Sequence, residues 1–214
     1  MKNFRILPIL LLAPLAALQG CVPVAVVGAG AAGAMSYEDR RTTGIQVDDE
    51  GIELRAGNRI GERYGDKAHV NVTSFNHGVL LTGEVPDAKA KEDIEKMAMA
   101  VANVRLVTNE LQVGAPSAFS ARANDSAITG KVKARFVDAG KFSAVHVKVV
   151  TEAAVVYLMG LVTEAEGSSA AELARTTSGV RKVVKVFEYC KLGEPNCAPT
   201  KFPADSKKTE APKK

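Results

Sequence analysis

Apolar residues recur along this chain with two periods. Ile52, Ala56, Ile60 and Tyr64 fall four apart, on one face of a helix. Val70 and Val72 alternate with His69, Asn71 and Thr73, as in a strand with one buried face. Asn76-His77-Gly78 predicts a turn into a second strand, Val79 to Val85. Asp87 to Ala102 predicts a helix with Ile94, Met97, Ala98 and Val101 facing inward, and Val104 to Val113 a last strand. Gly83 stands inside a strand, where glycine often marks a close backbone approach or a bulge.

The same order then returns. Val147-Lys148-Val149 repeats Val70-Asn71-Val72, and Val156 to Val162 repeats Val79 to Val85, both at an offset of 77. His69 and His146 share that register, as do Gly83 and Gly160. Ile52 pairs with Ile128, and Val104 to Val107 with Val180 to Val183, at an offset of 76. The units run from about 46 to 114 and from about 122 to 190, each read as helix, strand, strand, helix, strand. In the second, Asn124-Asp125 reads as the helix N-cap, and Ile128, Val132, Arg135 and Phe136 share one face. A domain of ~60 residues buries only ~60% of its unfolded surface. The two units are therefore expected to pack together.

The first twenty residues read differently. Lys2 and Arg5 precede an apolar run, Ile6 to Leu18, too short to span a bilayer. Leu18-Gln19-Gly20-Cys21 resembles the bacterial lipobox. That resemblance implies a signal peptide over 1–20, diacylglycerol on the Cys21 thiol, and acylated Cys21 as the mature N-terminus. Val22, in place of Asp, implies sorting to the outer membrane with the body in the periplasm. Residues 21–45 are expected to form a flexible tether. Within it, Gly28-Ala29-Gly30-Ala31-Ala32-Gly33 is a literal G-x-G-x-x-G, but no amphipathic helix or second βαβ half follows. A dinucleotide site is not expected.

Formal net charge is +4, so charge alone says little about partners, and no nucleic-acid ligand is expected. Cys190 and Cys197 close a C-x6-C loop that can form a disulfide in an oxidising compartment. Two free thiols binding metal would need further ligands, which the neighbouring sequence does not supply. Residues 191–214 are read as this loop followed by a lysine-rich disordered tail. His69 and His146 fall on the polar phase of their strands and are expected to face solvent; His77 falls in a turn. No Ser-His-Asp order, H-E-x-x-H or Walker loop occurs. No catalytic residue, metal or cofactor is expected, and the protein reads as a non-enzyme.

The repeated unit, and the string Val-Tyr-Leu-Met-Gly-Leu-Val-Thr-Glu at 156–164, resemble the BON domain. With the lipobox, the whole resembles the dual-BON outer-membrane lipoproteins. The resemblance implies an α+β fold: two tandem αββαβ domains, each a three-stranded mixed sheet with two helices on one face. It also implies that the second unit binds anionic phospholipid, phosphatidylglycerol foremost, through its first helix, about Asp125 to Asp138. The family role is support of outer-membrane integrity, with enrichment at division sites.

Lys131, Lys133, Ala134, Arg135 and Val137 lie on that helix, with Lys141 just after it. Val137 points away from the buried stripe. The resemblance implies an aromatic residue at the position where Ala127 stands here. In the first unit Glu50, Glu53 and Glu62 counter Arg55, Arg59 and Arg63, which leaves the second unit as the expected lipid binder. The other reading is an adaptor that docks an outer-membrane protein through a sheet edge.

Overall fold

The structure, a computed structural model, describes residues 39–194 and Cys197. The expected leader, Cys21, the glycine-rich run and the lysine-rich tail lie outside the described residues.

Helix α1 (Thr43–Tyr64) is capped by Thr42, whose Oγ1 accepts a hydrogen bond from Ile45 N at 3.3 Å. Its four-residue spacing turns Ile52, Ala56 and Ile60 inward. Strands β1 (His69–Phe75) and β2 (Gly78–Val85) form a hairpin. Helix α2 (Ala88–Met99), capped by Asp87, then returns the chain to the sheet. The last strand, expected without interruption over 104–113, is two short pieces, β3 (Leu106–Asn109) and β4 (Gln112–Val113). The break lets Leu111 bury in the core, and Asn109 Oδ1 accepts from Leu111 N at 3.2 Å. Both pieces pair with β2 in parallel.

The second unit repeats this order with α3 (Phe119–Ala139), β5 (Val147–Glu152), β6 (Val155–Val162), α4 (Glu164–Arg175) and β7 (Lys182–Tyr189). In both sheets the second strand is central, antiparallel to the first and parallel to the last. The fold is α+β, with the mixed sheets expected.

Two cores fill the space between helices and sheets. One gathers Ile52, Ile60, Leu81 and Ile94; the other gathers Ile128, Val132, Phe136 and Leu158. A Cβ on Gly83 would overlap the carbonyl oxygen of His69, and one on Gly160 that of His146. A third cluster, Phe75 and Leu80 with Tyr157, Met159 and Leu161, joins the helix-free face of one sheet to that of the other. Cys190 and Cys197 belong to it and are bridged, with their Cα atoms 5.7 Å apart.

Helix α3 begins at Phe119, well before Asn124-Asp125, and its cap, Ala118, makes no side-chain hydrogen bond. Asp125 is therefore not an N-cap. It is buried within the helix, and its carboxylate accepts from Ala153 N at 2.9 Å and Ala154 N at 2.8 Å. Asp49 on α1 does the same for the first hairpin, accepting from Asn76 N and His77 N, each at 2.8 Å. Both turns hold two non-glycine residues in the left-handed region: φ is 51° and 65° at Asn76 and His77, 50° and 60° at Ala153 and Ala154. Such backbone is disfavoured by about 1–2 kcal/mol per residue. Hydrogen bonds from two backbone N–H groups to one buried carboxylate offset that cost and tie each hairpin to its helix. The N-cap expectation failed because Asp suits both roles, and only the tertiary position of the turn decides between them.

Asp49 also accepts from Ser74 Oγ at 2.7 Å and pairs with Arg41 at 2.8 Å. Burial alone would raise its pKa. The hydrogen bonds from His77 N, Ser74, Arg41 and Asn76 N outweigh burial and hold it below the usual value.

Asp49→Ala is expected to lose about 2–4 kcal/mol in urea unfolding, since it strips partners from several buried donors. The pH dependence follows from the depressed pKa. Stability from Asp49 is fully present above its unfolded pKa and is lost as pH falls through the folded one. Asp49→Asn should therefore flatten the acid limb of the stability profile while lowering stability at neutral pH.

Candidate functional site

Helix α3 packs against its sheet through Ile128, Val132 and Phe136. At 3.6 residues per turn, Phe119 and Val137 fall on the same outward meridian, about five turns and ~27 Å apart. Phe119 is 79% exposed and Val137 68%. Between them the outward face carries Ala123, Ala127, Gly130 and Ala134, all exposed. The result is a smooth seam of small residues with an apolar side chain at each end. Lys131 and Lys133 stand on opposite shoulders of the seam, and Lys141 follows the C-terminal turn; all three are exposed. None of the three forms an ion pair with any described residue.

Arg135 is placed differently from its neighbours. It is half-buried, and its Nη1 donates to Leu173 O at 2.8 Å and Thr177 Oγ1 at 3.0 Å. Its charge caps the C-terminal end of α4, so this guanidinium braces the fold and is not a free surface cation. Phe119 was not among the expected residues because Asn124-Asp125 predicts a helix start five residues after it. The signal that would have found it is its spacing of 18 from Val137, five full turns.

Of the three exposed arginines of α1, Arg55 forms no ion pair with any described residue. Arg63 pairs with Asp93 at 2.8 Å, and Arg59 Nη1 reaches Ala100 O at 3.4 Å. Helix α1 differs from α3 in that the exposed carboxylates of Glu50 and Glu62 share it with these arginines.

The segment before α1 is held from Asp39 onward, although residues 21–45 were expected to be slack. Arg40, whose side chain is 3% exposed, forks onto Glu166 at 2.7 and 2.9 Å and donates to Leu161 O at 2.9 Å. Glu166 is also the N3 member of the α4 capping box with Thr163. Burial would raise the Glu166 pKa, but hydrogen bonds from His146 and Arg40 hold it well below the usual range. Arg41 pairs with Asp39 and Asp49 and lies 3.9 Å over the Phe75 ring.

These contacts explain where one of the three histidines goes. His146 does not face solvent: it is buried in a 3-10 turn, with Nδ1 3.8 Å from Glu166, beneath the Arg40 fork. His69 is half-buried, with Asn71 Nδ2 and Arg122 Nη1 each 3.4 Å from its ring. His77 stays at its turn, 3.3 Å from Asp48.

A family profile described as the BON domain matches residues 48–115 and 124–191. The chain belongs to the BON family. Its two BON units are the two repeats described above. Among curated relatives, it is 41% identical over 174 residues to "Outer membrane lipoprotein DolP" of Haemophilus influenzae, covering 80% of this chain and 90% of that one. It is also 35% identical over 153 residues to "21 kDa hemolysin" of Actinobacillus pleuropneumoniae, covering 71% of this chain and 79% of that one. Among the described residues, no helix is long and apolar enough to cross a membrane.

The different placements of Arg135 and Lys133 make a direct comparison. Arg135→Ala should lower unfolding free energy by about 1–3 kcal/mol, because it removes charged hydrogen bonds to α4. Lys133→Ala should change it by less than about 0.5 kcal/mol, as an unpaired surface side chain does. Chemical denaturation of both variants checks this.

Proposed function

We propose that this protein is a non-enzymatic outer-membrane lipoprotein, anchored through acyl chains on Cys21 and facing the periplasm, whose second BON unit binds anionic phospholipid through α3. The observation that carries the reading is the outward seam from Phe119 to Val137 between unpaired lysines. A helix of this kind lies in the plane of a bilayer interface, its apolar side chains among the acyl boundary and its ammonium groups at the phosphates. The small residues at 123, 127, 130 and 134 let the helix backbone approach the surface closely. Phe119 supplies an aromatic on the helix whose family position at 127 is alanine here. Each lysine near an anionic surface contributes about 1 kcal/mol.

The lipid role would fit a protein that supports outer-membrane integrity, with enrichment at division sites. The Haemophilus influenzae relative, an outer membrane lipoprotein by name, supports the location. The adaptor reading through a sheet edge has less behind it. The edge strand β3 has only four residues, and β7 carries Lys182 and Lys185, as edges that resist pairing do.

Vesicle co-sedimentation of the chain from Ser36 onward tests the proposal. Binding to phosphatidylglycerol vesicles should exceed binding to zwitterionic ones and weaken as salt rises. Lys131→Glu with Lys133→Glu should lower it by about tenfold or more. Phe119→Ser with Val137→Ser should lower it while leaving its salt dependence in place. Equal binding to both vesicle types would sink the idea.

A further inference from the structure

The interface between the BON units is apolar through the third cluster, but one end of it is not. There the β1–β2 pair brings His69 opposite Glu84 and Asn71 opposite Thr82, and β5 of the second unit adds Glu152. Ligand atoms of His69, Glu84 and Glu152 all lie within 4.8 Å of one another. Glu152 is 4% exposed, and its Oε2 accepts from Asn71 Nδ2 at 2.8 Å. Glu84 Oε2 accepts from Ser117 N at 3.0 Å. A small polar recess beside them is lined by His69, Asn71, Arg122, Asp125, Thr129 and Glu152.

Such a set is costly to bury without a counter-charge. Burial raises the Glu152 pKa, and the nearby carboxylates of Glu84 and Asp125 raise it further. Against them stand the neutral Asn71 amide and the His69 ring, toward which Arg122 reaches from α3.

Two further observations point to a missing partner. Two N–H groups, Asn71 Nδ2 and Arg122 Nη1, approach the two ring nitrogens of His69 at 3.4 Å each. A neutral imidazole has one lone pair, so one of those approaches is donor against donor. Thr82, 1% exposed and on the same sheet face, has an Oγ1 with no hydrogen-bond partner among the described residues.

We propose that His69, Glu84 and Glu152 form a divalent-cation site that clips the first BON unit to the second. One imidazole nitrogen with two carboxylates suits a borderline ion of the zinc class better than calcium or magnesium, which prefer oxygen alone. The cation neutralises the facing carboxylates and takes one lone pair of the His69 ring. Arg122, the one full positive charge lining the recess among the described residues, swings outward along α3. A water on the metal supplies the Thr82 hydroxyl with its partner. Because the ligands come from both units, the metal binds the docked arrangement and stabilises it by mass action.

The full chain in detergent micelles, titrated with zinc against a chromogenic chelator, tests the site. One zinc per chain should bind with a dissociation constant on the order of 10 μM or tighter, and about a hundredfold excess over that constant should raise the thermal midpoint by about 5–10 °C. His69→Ala, Glu84→Gln and Glu152→Gln should each weaken binding at least about tenfold. Their metal-free thermal midpoints report separately whether they fold. His77→Ala should bind as the parent does, and millimolar calcium or magnesium should not displace the ion. X-ray absorption of the loaded protein should show an imidazole in the coordination shell. Binding unchanged in His69→Ala or Glu152→Gln, loss of binding in His77→Ala, a shell of oxygen alone, or no stoichiometric binding would each overturn the proposal.

Discussion

A three-stranded sheet with both helices on one side leaves its other side to be covered. Strand β6 cannot leave that side in water: Val155 to Val162 is apolar at every position, and nearly all of it is buried. Val156, Leu158 and Val162 face the helices, while Tyr157, Met159 and Leu161 face the other sheet. The second BON unit therefore requires the first, and the rest of the molecule is arranged around that contact. Phe75 and Leu80 supply the opposing surface, the Cys190–Cys197 loop closes over one margin, and polar pairs such as Lys148 with Glu53, 2.6 Å apart, line the rim. Burial on both faces is what replaces strand alternation with a continuous apolar run.

Within each unit a second constraint sets the hairpin. The turn residues are Asn-His in one and Ala-Ala in the other, and alanine has no preference for left-handed backbone. What is common to the units is the carboxylate from the first helix, at Asp49 and Asp125. The pair is offset by 76, the same offset that relates Ile52 to Ile128. The repeat thus carries a helix-to-turn connection as well as a hydrophobic pattern.

Much of this is legible in the sequence. The spacing of Ile52, Ala56 and Ile60, the copies at offsets of 76 and 77, and the glycines at 83 and 160 report local geometry and buried faces, which periodicity encodes directly. Less legible were features that depend on distant partners. Arg40 stands in a polar run with nothing to mark it, and its carboxylate lies 126 residues later. His146 sits on a polar phase, and its burial depends on Glu166 and Arg40, both distant in sequence. Arg135 looks like its lysine neighbours until α4 packs beside it. The outward seam of α3 was half visible: Val137 had no inward role, but Asn124-Asp125, good capping residues, hid Phe119 by predicting a later helix start.

The Arg40 fork has a mechanical consequence. Tension on the chain preceding Asp39 does not pull first on α1, the element that follows it in sequence. It meets a guanidinium held on Glu166 and Leu161 of the second unit, and Arg41 held on Asp49 of the first. The load divides between both units before any helix bears it. Pulling on that end would begin with the shearing of two half-buried ion pairs together, not with the peeling of one helix turn by turn.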